Sequence, residues 1–179
     1  MLTIKVEQQD FFDSSKNEFV ALPPIVLEFE HSLVSLSKWE QKYKKPFLTK
    51  DEKTSEESMA YVECMLLTPN VPSYVLTMLT DAQVREIGEY INTSQTATWF
   101  RKTNEPPSRE KVTSELIYYW MTAAQIPWEA QHWHLDRLFT LIKIVSLKSQ
   151  PAKKMSKSEM LAQRRSLNAQ RRAQHNTSG

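Results

Sequence analysis

The residues best suited to metal chemistry are Glu129, His132 and Asp136, in the stretch WEAQHWHLD. On a helix, their spacings of three and four residues would place them on one face, whereas His134 would point away from His132. A di-iron site in a helical bundle needs the Glu-x-x-His element twice, with two further glutamates, and this sequence has one copy. We therefore predict no metal site and no cofactor, and expect these side chains to form hydrogen bonds at a helix start.

The candidate nucleophile is Cys64, the single cysteine of the chain. It borders the apolar stripe of a predicted helix, far in sequence from any histidine, which is typical of a buried structural cysteine. The chain has two glycines, Gly88 and Gly179, whereas loops that bind phosphates or dinucleotides need several. The residue types therefore favour a non-enzymatic protein.

The strongest charge asymmetry lies in residues 151–179, which hold seven Lys/Arg and one acidic residue, Glu159. The whole chain has 23 Lys/Arg and 21 Asp/Glu, so residues 1–150 carry 16 basic against 20 acidic side chains, a net charge of −4. An acidic body followed by a basic segment predicts an arm that contacts another macromolecule. The candidate partner-binding residues are Lys153, Lys154, Lys157, Met160, Leu161, Arg164, Arg165, Leu167, Arg171 and Arg172.

The basic segment has three interpretations. As a nucleic-acid-binding arm it would neutralise phosphates, although it contains no aromatic residue to stack on bases. As a protein-binding helix, beginning at the capping box Ser156-x-x-Glu159 and ending near Arg172, it would place Met160, Leu161 and Leu167 in a groove with arginines at the rim. The third interpretation is a solvated basic terminus. The protein-binding helix is favoured.

The predicted fold is mainly α-helical (α+β), with a small N-terminal antiparallel β element and a basic C-terminal helical extension. Alternating apolar residues predict a strand at 2–6, with 18–22 as its hairpin partner and 25–29 as a third strand. We predict one globular domain over residues 1–150, with β structure in 1–30 and five to seven helices in all. The tail comprises residues 151–179.

From Ser32 the apolar period changes to that of a helix. Capping boxes at Thr54-x-x-Glu57 and Thr80-x-x-Gln83 predict two helix starts, the second helix burying Val84, Ile87 and Ile91. A further helix is predicted over Glu110–Ala124. The loop before it contains Trp99 and Phe100, which we expect to dock on the body.

Trp128–Lys148 is predicted as one continuous helix, the longest of the body. Its apolar residues Leu135, Leu138, Ile142 and Val145 predict the central helix of the bundle. Neither a signal peptide nor the run of roughly 20 apolar residues required of a membrane helix is visible. We therefore expect a soluble, intracellular protein without membrane contact.

Four segments resemble small proteins encoded by tailed bacteriophages: EHSLVSLSKWEQKYKKPFL (30–48), SELIYYWM (114–121), IPWEAQHWHLDRLFTLIKIV (126–145) and KKMSKSEMLAQRRSLNAQRRAQ (153–174). The chain is most similar to the tail assembly chaperones of long-tailed phages. The resemblance implies a helical, non-catalytic protein of the bacterial host cytoplasm that binds the tape measure protein and helps to recruit the major tail protein. It also implies a homo-oligomer along the client. The alternatives are a virion structural or connector component and a nucleic-acid-binding accessory protein.

Overall fold

The computed structural model describes residues 1–7, 9–13, 15, 17–100, 110–149 and 157–175. It comprises two compact units, residues 1–146 and 147–179. The elements are β1 Leu2–Val6, β2 Gln9–Asp13, β3 Glu18–Leu22, β4 Ile25–Phe29, α1 Leu33–Tyr43, α2 Ser55–Met65, α3 Ser73–Thr77, α4 Asp81–Asn92, α5 Ser114–Ala123, a 3-10 helix Trp128–His132, α6 Leu135–Ser149 and α7 Lys157–His175. The predicted fold class, mainly helical with an N-terminal antiparallel hairpin packed against helices, is confirmed.

The N-terminal strands pair differently from the prediction. β1 pairs with β4, with Leu2 opposite Phe29, and β2 pairs with β3, so the assignment of 18–22 as the partner of 2–6 is wrong. β1 and β4 pair because each buries its alternate apolar residues, such as Val6 and Phe29, in the same core. β2 was missed because its sequence, QDFFD, does not alternate.

Helix α1 is the central helix of the body. Its Trp39 belongs to one apolar cluster, with β1, β4, α2, α3 and α4, while its Leu33 and Leu36 belong to a second cluster with α5 and α6. The prediction that α6 is central is wrong, because Leu135 and Leu138 are its fully buried residues and Ile142 and Val145 are half-buried. The two clusters therefore depend on α1 to hold them together.

A buried glutamate on α1 fixes two of the connecting segments. The Glu40 carboxylate accepts hydrogen bonds from the backbone amides of Phe47, at 2.8 Å, and Ser114, at 2.7 Å. The second amide belongs to the first turn of α5, where a negative charge also complements the helix dipole. Glu40 thus joins α1 both to the chain that follows it and to the start of α5.

The capping boxes predicted at Thr54 and Thr80 are confirmed, while Ser156 of the third lies outside the described residues. The Thr54 hydroxyl accepts from the Glu57 amide at 3.2 Å, while the Glu57 carboxylate accepts from the Thr54 amide at 3.0 Å; Thr80 and Gln83 do the same at the start of α4. The predicted buried stripe of α4 is only partly correct, because Ile87 is buried whereas Val84 is 38% exposed. α5 begins at Ser114, four residues later than predicted.

The predicted continuous helix over 128–148 is wrong. A 3-10 helix ends at His132, and α6 begins at Leu135. Between them His134 forms an isolated antiparallel bridge with Ser32, and the Leu135 amide donates to the His31 carbonyl at 2.8 Å. These tertiary hydrogen bonds replace the helical ones, so the chain leaves the helical path at this point.

None of the helices within the described ranges combines the length and the apolar character required to span a bilayer.

Candidate functional site

The candidate partner-binding residues lie mostly on α7, which is 19 residues long. Lys153 and Lys154 lie outside the described residues, and Lys157 is the first residue of the helix. The seven others, Met160, Leu161, Arg164, Arg165, Leu167, Arg171 and Arg172, are all exposed. The apolar ones among them are about half exposed, at 46% for Met160, 55% for Leu161 and 47% for Leu167.

The geometry of α7 divides these residues between two faces. Met160, Arg164, Leu167 and Arg171 follow one another at intervals of four, three and four residues, so they share one face, called here the Met160 face. Leu161, Arg165 and Arg172 lie about 100° further around the helix. The apolar and cationic groups therefore alternate along a single stripe instead of forming an apolar stripe with a basic rim.

Sequence reasoning overlooked a short repeat in α7. The tetrapeptide Ala-Gln-Arg-Arg occurs at 162–165 and again at 169–172. Each copy begins two residues after an apolar residue of the Met160 face. A repeat of seven residues is the period of helices that pack side by side. The sequence shows that the arginine pairs 164–165 and 171–172 recur after seven residues, and extending that period to Met160 and Leu167 would have revealed the stripe.

Exposure also determines how stable α7 is by itself. Most helical stability in proteins comes from burying an apolar face, and the described side chains of α7 are all exposed. Its apolar content is limited to Met160, Leu161, Leu167 and alanines. We expect α7 to be a marginal helix alone and to be stabilised by a partner that covers the Met160 face.

The residues considered for metal binding do not meet on one helical face. Glu129 and His132 belong to the 3-10 helix, while Asp136 lies in the first turn of α6. The Asp136 carboxylate accepts from the Ser94 hydroxyl at 2.9 Å and from the Gln95 amide at 2.8 Å. Within the described ranges, no group of three His, Cys, Asp or Glu residues is placed to hold a metal ion.

A histidine pair that sequence reasoning missed lies buried between the two apolar clusters. His31 and His134 contact each other edge to face, with ring centroids 5.0 Å apart. The Tyr61 hydroxyl lies 2.6 Å from His31 Nδ1, and His134 Nε2 lies 3.2 Å from the Tyr90 carbonyl. The two residues are 103 positions apart in the chain, so no local pattern could have paired them.

Burial keeps this pair neutral. Desolvation, followed by the neighbouring His134, lowers the pKa of His31 from 6.5 to about 4, against an opposing effect of Glu30. Desolvation also lowers the pKa of His134, although its hydrogen bond to the Tyr90 carbonyl opposes the shift. The pair therefore acts as an uncharged hydrogen-bonding junction, and its protonation would oppose folding.

Cys64 is half-buried, less than the full burial expected from sequence. It packs against the first apolar cluster, and burial followed by the nearby Glu63 raises the pKa of its thiol. A raised pKa keeps the thiol protonated and disfavours the nucleophilic thiolate. The role that fits this setting is packing.

The two aromatic residues of the 93–100 segment have different environments. Phe100 is half-buried, and the Lys143 ammonium lies 4.2 Å from its ring centroid. Trp99 is 83% exposed, so the expectation that both residues dock on the body is wrong for Trp99.

No protein-family model matches the chain, and neither does any curated protein or solved structure.

Proposed function

We propose that this chain is a non-enzymatic assembly chaperone of a long-tailed bacteriophage. In this proposal it acts in the host cytoplasm, where α7 binds the tape measure protein and the chaperone helps to recruit the major tail protein. The observation that supports it most is α7, a helix of 19 residues whose described side chains are all exposed and whose Met160 face repeats every seven residues. The resemblance in sequence supplies the identity of the client.

The Met160 face suits a helical client. Met160 and Leu167 are each about half exposed, so covering them would stabilise a complex by about 1 kcal/mol per side chain. Arg164 and Arg171 would pair with carboxylates on the same face of the client. One α7 therefore binds weakly and reversibly, and several copies along a long client would act together through avidity.

Nucleic acid is the second candidate partner, favoured by the four exposed arginines of α7. A phosphate-binding arm would lose affinity for nucleic acid steeply as the salt concentration rises, whatever the nucleotide sequence. A gel-shift titration from low to physiological salt tests this alternative. Mass spectrometry of purified virions tests a structural or connector role, since a chaperone is expected to be absent from mature particles.

The chaperone proposal is tested by capture of purified tape measure protein on immobilised full-length chain and on residues 1–150. We expect the truncated form to lose capture while its circular dichroism and unfolding show a folded body. The paired variant Met160→Ser with Leu167→Ser should weaken capture about tenfold, the equivalent of losing part of the two apolar contacts.

The matched control is Ala162→Ser with Ala169→Ser, which changes two exposed residues on the opposite side of α7. It should capture the tape measure protein as the unaltered chain does. Equal capture by the full-length and truncated forms would contradict the proposal, as would equal losses in the two serine variants.

A further inference from the structure

A shallow groove with a volume of about 230 Å3 is lined by residues of α2, of the end of α1 and of α3. Its apolar lining, called here the floor, is formed by Met59, Ala60, Tyr43 and Leu76, of which the last three belong to or pack against the first apolar cluster. Two glutamates of α2, Glu56 and Glu63, lie along it. This surface, called here the α2 groove, therefore combines an apolar floor with acidic groups.

The glutamates of the groove have a defined spacing. Glu56 and Glu63 are seven residues apart on one helix, so they lie on the same face about 10.5 Å apart along its axis. Lys42 lies at the same groove, with its ammonium 3.9 Å from the Glu63 carboxylate and both side chains 55% exposed. An exposed ion pair at that distance contributes little to stability. An arginine of α7 can therefore replace Lys42 as the partner of Glu63.

The Met160 face of α7 has the same spacing with the opposite charge. Arg164 and Arg171 are also seven residues apart. Met160 and Leu167 have the same spacing and alternate with the two arginines along the helix. A helix with this face laid along α2 can place both arginines opposite both glutamates at once. The same arrangement turns Met160 or Leu167 toward the apolar floor of the groove.

We infer that α7 of one copy binds the α2 groove of a second copy of this chain. Charge selects this occupant, because the glutamates would repel nucleic acid and the arginines would repel another α7. The contact joins the Met160 face of one copy to the α2 groove of another. Every copy therefore carries both a helix that binds and a groove that is bound. Association of this type is head to tail and can extend beyond a dimer.

Self-association would compete with the proposed binding of client, because both use the same face of α7. The Met160 face is the part of α7 assigned above to the tape measure protein. A copy whose α7 occupies a neighbour's groove therefore cannot use that α7 for the client. Free chaperone would be stored in self-associated form, and a client would release it.

Sedimentation velocity of the full-length chain over a hundredfold concentration range tests the inference. We expect reversible association that weakens at high salt. The charge reversals Arg164→Glu with Arg171→Glu, and Glu56→Arg with Glu63→Arg, should each weaken self-association at least tenfold. An equimolar mixture of the two reversed proteins should associate again, because the reversed helix matches the reversed groove.

The control is Arg165→Glu with Arg172→Glu, which makes the same change of charge on the neighbouring face of α7. This control variant should retain at least a third of the association constant of the unaltered chain. Glu56→Gln with Glu63→Gln is a milder groove variant, and it should weaken association even if the charge-reversed groove impairs folding. A chain that stays monomeric at every concentration, equal losses in the control, or a mixture that fails to associate would each overturn the inference.

Client capture separates this inference from the proposed function. The groove variants alter α2 and leave α7 intact, so they should capture the tape measure protein at least as well as the unaltered chain. A monomeric chain that still captures client through α7 would overturn self-association alone. An associating chain that captures no client would contradict the proposed function alone.

Discussion

Replacing His31 by asparagine should remove a large part of the acid sensitivity of the folded body. The Tyr61 hydroxyl lies 2.6 Å from His31 Nδ1, which can accept its hydrogen bond when the ring is neutral and carries its proton on Nε2. Protonation would turn that acceptor into a second donor, beside the neighbouring ring of His134. In His31→Asn, the side-chain carbonyl oxygen can accept from Tyr61 at every pH.

The magnitude follows from the lowered pKa of His31. The unfolded chain binds a proton at His31 near pH 6.5, whereas the folded chain binds it only near pH 4. Because the unfolded state binds more protons between those values, the free energy of unfolding falls as the pH is lowered through that window. The loss is about 3 kcal/mol in total, of which about 2 kcal/mol is present at pH 5. His134, whose pKa is also lowered, adds a loss of the same sign.

Urea denaturation between pH 7.5 and pH 5 measures this effect. The unaltered chain should lose about 2 kcal/mol more than His31→Asn over that range. The exposed His132, replaced by asparagine, is the matched control and should retain the loss due to His31. Titration of the His31 ring by NMR should give an apparent pKa near 4. Equal pH dependence in His31→Asn and the unaltered chain would refute the reasoning.

Three further predictions concern the body, each checked by urea denaturation. Glu40→Ala leaves the buried Ser114 amide and the part-buried Phe47 amide without their acceptor and should cost about 3 kcal/mol, whereas Glu40→Gln should cost less. Trp39→Phe loses the 2.8 Å hydrogen bond to the Glu57 carbonyl and leaves a cavity in the first apolar cluster, so it should cost about 2 kcal/mol; unchanged stability would contradict that contact. Thr54→Ala should cost about 1 kcal/mol, while Thr54→Ser, which keeps the cap, should match the unaltered chain.

Features set by neighbouring residues could be predicted from the sequence. The capping boxes at Thr54 and Thr80 involve side chains three residues from the amides they cap, so the helix starts follow from local chemistry. β1 was predicted because Leu2, Ile4 and Val6 alternate with polar residues.

Features set by distant residues could not be predicted. The chain departs from the helical path before α6 because His134 pairs with Ser32, 102 positions away. The floor of the α2 groove likewise combines Met59 with Leu76 of another helix. The repeat in α7 is different, because it was present in the sequence and required only a period of seven.

We propose that α7 acquires stable order by binding another macromolecule through its Met160 face. Amide hydrogen exchange over residues 157–175, with and without purified tape measure protein, measures this directly. We predict that exchange slows at least tenfold across α7 in the complex, and that Met160→Ser with Leu167→Ser reduces the protection. Unchanged exchange in α7 while the tape measure protein is bound would show that α7 gains no order from this partner.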